Sequence, residues 1–344
     1  MSKILITGGT GFVGTNLLPL LNAEGHEVVL VDNLSQSVYV PEFHDSAKFY
    51  LADITDSVLL DKIFATEKPD VVFHFGGLVS IYDCHNEPVF AAEQNIIGSI
   101  NVFNAALNNG CDRVIFSETS AVYENVELPA DGYKEGASDP TTFYAVSKAS
   151  VALIADSYAR TRGLKYTALR YFNIAGPIQD YKRTVPPLFA GVAIRLLGGN
   201  NPIIFGDGTR RRDFIHVDDV NKFHIQCLTD ERTVGETFNL GMNQSHSLYE
   251  ISEIIWEYLK DEVPADYLEY DNQLTFFYVT GFFLNSNFYS GLGSHDSDIV
   301  NPYVNVLTSF LTSFKRPLVV CDLGCGDFNV GKQLVKYTKK YIAV

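Results

Sequence analysis

Tyr144 and Lys148 stand four residues apart, in a stretch whose pattern predicts a helix over 142–162. That spacing puts both side chains on one helical face. An ammonium beside a phenol stabilises the phenolate and lowers the phenol's pKa, which makes the tyrosine a usable general base. Taken alone the pair is a weak signal, since any helix can carry it by chance. Gly8, Gly11 and Gly14 form a second pattern, G-x-x-G-x-x-G, after one apolar run and at the start of a helical one. Glycine suits such a turn because the backbone angles are unusual and a phosphate must approach the main chain. The amides at the start of the following helix then face that anion. Asp32 lies 18 residues beyond Gly14, at the end of the second apolar run. A carboxylate there accepts hydrogen bonds from adenosine ribose hydroxyls and repels a 2′-phosphate, so the chemistry favours NAD over NADP. Asp53 follows the third run, and on residue type alone it reads as a cap or turn acid. His74, Cys84 and His85 lack metal-ligand spacing, so no metal site is expected.

These side chains need a scaffold. Apolar, β-branched runs predict strands over 4–7, 27–32, 48–52, 71–74, 113–117 and 164–170. Helical patterns over 12–24, 57–66, 93–109 and 142–162 fall between them. This alternation predicts an α/β fold, a Rossmann-type doubly wound parallel sheet covered on both faces. After Arg170 the elements shorten: helices over 188–197, 216–229 and 248–259, and strands over 202–205 and 237–240. They suit a smaller C-terminal lobe that closes over a ligand. The expected organisation is a dinucleotide-binding domain over 1–175, a partial substrate lobe over 176–264 with elements crossing back to the sheet, and an atypical segment over 265–344.

Composition limits the function. The chain has 344 residues, 46% hydrophobic and 19% charged, with a formal net charge of −15. It is long enough for a sizeable core. Its acidity argues against nucleic-acid or anionic-membrane partners, which need basic surface. No run reaches the roughly 18 apolar residues of a membrane span, and a strand starting near Lys3 leaves no room for a leader. Five scattered cysteines (Cys84, Cys111, Cys227, Cys321, Cys325) predict reduced thiols in a cytoplasm rather than a disulfide framework. Residues 265–344 hold seven acids and six bases, against 34 and 20 in the rest, so nearly all the net charge belongs to residues 1–264.

Several further stretches join these motifs. They are Thr7-Gly8-Gly9-Thr10-Gly11-Phe12-Val13-Gly14, Asp32-Asn33-Leu34-Ser35, Ser117-Glu118-Thr119-Ser120-Ala121-Val122-Tyr123 and Tyr144-Ala145-Val146-Ser147-Lys148. Leu169-Arg170-Tyr171-Phe172-Asn173, Gly206-Asp207-Gly208-Thr209 and Arg212-Asp213-Phe214-Ile215-His216-Val217-Asp218-Asp219 continue the set. Over about 1–262 the chain resembles the extended short-chain dehydrogenase/reductase family, and within it the NAD-dependent nucleotide-sugar 4-epimerases of the UDP-glucose type. The resemblance implies that Gly8, Gly11, Phe12, Val13, Gly14, Asp32 and Asn33 hold NAD, with Asp53 and Ile54 flanking the adenine. It implies that Thr119 hydrogen-bonds the sugar 4-hydroxyl, that Tyr144 removes its proton, and that Lys148 holds the nicotinamide ribose and tunes Tyr144. Asn173 and Arg212 would meet the diphosphate, which a guanidinium fork suits. A homodimer through the helices over 93–109 and 142–162 is also implied.

The stretch Thr119-Ser120-Ala121 fits neither the Thr-Asp-Glu pattern of dehydrating members nor a decarboxylating one, which leaves epimerisation or reduction of a keto sugar. Glu118 and Glu124 stand where Ser and Gly are common, and Gly76-Gly77 replaces a frequent alanine pair. Strand alternation predicts that Glu118 points away from the substrate. Past Pro264 the family pattern stops. A strand over 317–322, the glycines of Asp322-Leu323-Gly324-Cys325-Gly326, a helix to about 339 and a strand from 341 resemble the start of a class I S-adenosylmethionine methyltransferase, cut off before its second acidic residue. The expectation is an epimerase front joined to such a start. An NAD- or nucleotide-sugar-binding protein without turnover, and another oxidoreductase of the same family, stay open as alternatives.

Overall fold

The computed structural model describes residues 1–130, 132–179, 185–204 and 208–261, and the backbone of two further strands over 318–322 and 338–343. Contacts divide the chain into two units, 1–202 with 209–267, and 203–208 with 268–344.

The first unit begins β1 (Lys3–Thr7), α1 (Phe12–Ala23), β2 (Glu27–Asp32), α2 (Pro41–His44), β3 (Lys48–Leu51), α3 (Ser57–Glu67) and β4 (Val71–His74). Then come α4 (Ile81–Asn86), α5 (Pro88–Ala92), a π-helical turn (Glu93–Ile97), α6 (Gly98–Asn108) and β5 (Arg113–Thr119). A 3₁₀ turn (Ser120–Tyr123), α7 (Phe143–Arg162), β6 (Lys165–Tyr171), β7 (Asn173–Ala175), α8 (Leu188–Leu197) and β8 (Arg211–His216) follow. The unit closes with α9 (Val217–Thr229), β9 (Glu236–Leu240), β10 (Ser245–Ser247) and α10 (Leu248–Leu259).

Seven strands form one sheet in the order β3-β2-β1-β4-β5-β6-β9, and every pairing in it is parallel. Leu5, Val29, Val72, Val114 and Phe116 face one buried cluster with α3, α6 and α7, while Ile4, Ile6, Leu30, Phe73 and Ile115 face another with α1 and α9. Apolar residues on both sides of each strand are what a doubly covered parallel sheet requires. Strand order reverses between β1 and β4, and ligands of such sheets bind at the carboxyl ends there. A smaller sheet, β10-β8-β7, continues the chain beyond β6, and α8 packs on α10 through Val192, Leu196, Ile251 and Ile255.

Most sequence-based boundaries agree within one or two residues, with four differences. The helix expected over 93–109 opens with the π-turn, from which Asn95 reaches Ser147 on α7, and is regular only over Gly98–Asn108. Residues 202–204 are not a strand, and the lobe's central strand is instead β8, whose alternation is hidden by Arg211, Arg212 and Asp213. The short α2, α4 and α5 and strands β7 and β10 were too brief to leave a periodic signal. In the second unit β11 (Leu318–Asp322) and β12 (Thr338–Ala343) pair in parallel. The last strand thus starts at Thr338, so the helix expected up to about 339 cannot extend that far. The glycine motif over 323–331 and Gly206-Asp207 lie outside the described residues. No helix among the described residues is long and apolar enough to cross a membrane.

Candidate active site

The glycine turn begins where β1 ends. Gly8 has φ +67° and its amide donates to Val31 O at 2.9 Å, tying the turn to β2. A Cβ on Gly8 would lie 2.7 Å from Gly76 N, so the turn and the segment after β4 touch backbone to backbone. A Cβ on Gly14 would lie 2.7 Å from Gly9 O. Gly14 thus lets α1 pack on its own loop and stays out of the cleft wall. Gly11 is the N-cap of α1 and provides no capping side chain.

Asp32 is buried at the end of β2. Its Oδ2 accepts from Thr10 N at 3.1 Å, and its Oδ1 from Leu34 N at 2.9 Å and Ser37 Oγ at 3.3 Å. Asn33 donates to Asp53 Oδ2 at 2.7 Å. Asp53 Oδ1 accepts from Thr55 N and Thr55 Oγ1, at 2.8 and 2.7 Å, and from Gln94 Nε2. Burial pushes the Asp53 carboxyl up, but its bonds to Thr55, Asn33 and Gln94 outweigh it and hold the group below its ordinary pKa. Asp53 therefore builds the turn, as its residue type suggested, while Ile54 next to it lines the cleft.

The cleft at the carboxyl ends of the sheet has a volume of about 510 Å³. Gly8, Gly11, Phe12, Val13, Asp32, Asn33 and Ile54 line one end, and Thr119, Tyr144, Lys148, Asn173 and Arg212 also open on it. All the expected site residues except Gly14 and Asp53 are thus cleft-wall residues, gathered from the ends of six strands and from two helices.

Helix α7 carries the Tyr144/Lys148 pair. It starts where it does because Thr142 caps it and Glu124 anchors the cap. The Glu124 carboxylate accepts from Thr141 N and Thr142 N at 2.8 Å each and from Thr142 Oγ1 at 2.6 Å. Lys148 is buried and donates to Ser117 Oγ at 3.1 Å. Burial lowers its pKa to about 8, with Glu118 acting in the opposite sense. At neutral pH it remains mostly an ammonium. Thr119 Oγ1 accepts from Ala121 N at 3.1 Å, which leaves its own O–H to donate. Asn173 donates to Asp213 O at 2.8 Å. The Asp213 carboxylate accepts from Met242 N and Asn243 N, fixing the loop after β9. Arg212 opens on the same cleft as an exposed residue, and the thinner hydration of its head in the cleft together with nearby Arg210 lowers its pKa without discharging it.

Sequence reasoning missed a polar chain behind these groups. Thr7 Oγ1 is 2.7 Å from His74 Nδ1, His74 Nε2 is 2.8 Å from Ser99 Oγ, and Ser99 donates to Asn95 O. Asn95, on the π-turn, bonds Leu78 N and O and donates to Ser147 Oγ at 2.9 Å; Ser147 in turn bonds Tyr144 O. The network links β1 to α7. Burial, with Lys148 close by, lowers the His74 pKa to about 3, so it is neutral. No signal short of the three-dimensional contacts marks Asn95 or Ser99. No cluster among the described residues could hold a metal ion.

A parallel sheet with a glycine turn and a buried acid, Asp32, at its switch point, and a Tyr/Lys pair on the same cleft, defines a dinucleotide-dependent enzyme of the short-chain dehydrogenase/reductase kind. Residues 4–241 match the model of the NAD dependent epimerase/dehydratase family. UDP-glucose 4-epimerase of Halalkalibacterium halodurans is 31% identical over 281 residues, covering 76% of this chain and 82% of that relative. Among solved structures, UDP-glucose 4-epimerase of Thermotoga maritima with UDP-glucose superposes with a TM-score of 0.69 at 33% identity, over 74% of this chain and 82% of that one. UDP-glucose 4-epimerase of Thermus thermophilus in complex with NAD gives 0.68 at 28% identity, over the same shares. The chain belongs to the NAD-dependent epimerase/dehydratase family, as an extended short-chain dehydrogenase/reductase with a Rossmann-type fold, and its cofactor is NAD. The site fits that cofactor, since the bare backbone at Gly8 and Gly11 lies in the cleft wall with Asp32 beyond it.

Proposed function

We propose that the protein is a nucleotide-sugar 4-epimerase acting on a UDP-hexose. The observation that carries the proposal is one cleft that brings Thr119, Tyr144 and Lys148 together with the dinucleotide turn at one side and Arg212 at the other. Bound NAD would accept the hydrogen at the sugar C4 and return it to the other face of the ring. The chain's own residues do the rest. Thr119 donates a hydrogen bond to the 4-oxygen, Tyr144 as phenolate takes the 4-hydroxyl proton and later gives it back, and the Lys148 ammonium steadies the phenolate before the proton is taken and after it is returned. Gly8, Gly11, Phe12, Val13, Asp32, Asn33 and Ile54 hold the cofactor, with Asp53 fixing Asn33. Asn173 and Arg212 take the diphosphate. A sugar must turn over inside the cleft, so binding energy is placed on the nucleotide and not on the ring. The relatives named as UDP-glucose 4-epimerases support this substrate class.

The domain reading carries over as a proposal, with NAD bound by 1–175, the sugar nucleotide by 176–264, and a separate role for 265–344. The division of contacts close to residue 267 supports the last boundary. We further propose a cytoplasmic homodimer through the π-turn, α6 and α7, whose outer faces leave Ile97, Val146 and Leu153 exposed. Incubation with UDP-glucose, UDP-galactose, their N-acetyl forms and their uronic acids, followed by proton NMR, tests the function. Interconversion of at least one pair at C4 supports it, and inertness across the panel with NAD bound refutes it.

A further inference from the structure

The loop over 33–40 leaves β2 at Asp32, and its residues Asn33, Ser35, Gln36 and Ser37 line the cleft. Leu34 has φ +60°, a conformation that such a residue rarely adopts and that persists only where its surroundings fix it. The near end of the loop is tied to the Asp32 carboxylate through Leu34 N and Ser37 Oγ, and Ser37 Oγ lies 2.6 Å from Thr10 Oγ1. At the far end the tie is His44, the last residue of α2, which is only 1% exposed. Val40 N donates to His44 Nδ1 at 2.9 Å, and His44 Nε2 lies 3.0 Å from Thr15 Oγ1 in the opening turn of α1. A backbone N–H can only donate, so Nδ1 is the acceptor and the ring's single proton sits on Nε2, which donates to Thr15. A second proton, on Nδ1, would face the Val40 N–H and break that bond.

We propose that His44 is a positioning residue for NAD: as a neutral imidazole it bridges the end of the 33–40 loop to the start of α1, and so closes that loop on the cofactor. The inference rests on the reading of Asp32 and Asn33 as cofactor residues given under Proposed function. The bridge joins the two elements that one dinucleotide must touch at once, the helix behind the glycine turn and the segment after β2. The groups that face the ring are few. Asp32 on β2 and Asp45 beyond α2 favour its charged form. Tyr39 packs against it with ring centroids 5.2 Å apart and donates to Asp45, which keeps the phenol neutral. Helix α1 carries no charged residue, and Glu42 on α2 is exposed. Burial outweighs the two acids and holds the imidazole below its ordinary pKa, so it is neutral at pH 7.

Exchange of the bound NAD for isotope-labelled NAD in excess, followed by mass spectrometry on the full-length holoprotein, reads how firmly the loop is closed. Wild type, His44→Gln and His44→Leu are compared at about pH 7.5 and about pH 5. His44→Gln keeps an amide that reaches toward Thr15, and His44→Leu keeps bulk alone. At the higher pH His44→Leu should exchange about tenfold faster than the wild type, the effect of losing about one net hydrogen bond, with His44→Gln between them. At the lower pH the wild type should speed up several-fold as the ring takes its second proton, an increase that neither variant shares. A His44→Leu rate equal to that of the wild type overturns the proposal. An acid response common to all three proteins also overturns it, since another group would then carry the response, as does a wild-type rate that acid leaves unmoved or lowers. Should His44→Leu not fold, Thr15→Val removes the partner of Nε2 and keeps the ring, and is read at the higher pH with the same two outcomes. A wild type that is isolated without NAD and takes up none would instead refute the cofactor reading itself.

Discussion

Replacing Gly8 by alanine tests whether the turn is glycine for its backbone angle, its close contact, or both. At φ +67° an L-residue costs about 1–2 kcal/mol. The new Cβ would also lie 2.7 Å from Gly76 N, 2.8 Å from Phe75 C and 2.9 Å from Gly76 Cα. All three are backbone atoms, which no rotamer change can move, so the segment after β4 must shift. That segment is tied to β1 by Phe75 N to Thr7 O at 3.0 Å and Gly76 N to Thr7 Oγ1 at 3.3 Å. Loss of one such bond costs about 1 kcal/mol, so the total destabilisation is about 2–3 kcal/mol. Gly25 supplies the control, having φ +79° and nothing within 4 Å of a new Cβ. Gly25→Ala should show the angular cost of about 1 kcal/mol or slightly more and leave cofactor binding intact. Urea unfolding with a common m-value, together with calorimetric titration of NAD into cofactor-free protein, gives both quantities. Gly8→Ala should unfold earlier than Gly25→Ala and bind NAD at least about tenfold more weakly. Equal stability of the two variants with equal NAD affinity would refute the backbone-contact argument.

Tyr144→Phe should reduce epimerisation by about 10²–10⁴-fold while NAD still copurifies, checked by progress curves and by cofactor released on denaturation. Arg212→Ala should raise KM for the nucleotide sugar about 10–100-fold, the loss of one charged hydrogen bond, with a smaller change in kcat. His74 and His224 are fully buried, each with its pKa lowered to about 3 by burial. Both bind more protons when unfolded, so their share of stability is present above about pH 6.5 and is lost as pH falls toward 3. Urea midpoints measured from pH 7 to pH 4 should decline, and the decline should be shallower in His224→Gln.

Much of this architecture was legible in the sequence because one physical demand produced one visible pattern. A strand buried on both faces must be apolar throughout, which marks β2 and β4 to the residue. The glycine turn and Asp32 mark the cofactor end, and the spacing of Tyr144 and Lys148 marks a shared face. What stayed hidden depends on partners distant in the chain. Asn95 looks like any helical asparagine until the π-turn brings it to Ser147, 52 residues away. Glu118 was expected to point away from the substrate by strand alternation; it belongs to the cleft lining, and its carboxylate pairs with Arg170, a pairing that sequence spacing does not encode. Strand β8 was missed because its alternation is interrupted by residues that serve the cleft and the loop after β9 rather than a core.

The central claim is that the chain inverts C4 by removing and returning the same hydrogen while Tyr144 shuttles the hydroxyl proton. Turnover of UDP-[4-²H]glucose in ordinary water, followed by NMR of the UDP-galactose formed, tests this most directly. The account predicts deuterium retained at C4 of the product. Product in which the C4 label has been replaced by solvent hydrogen would contradict it.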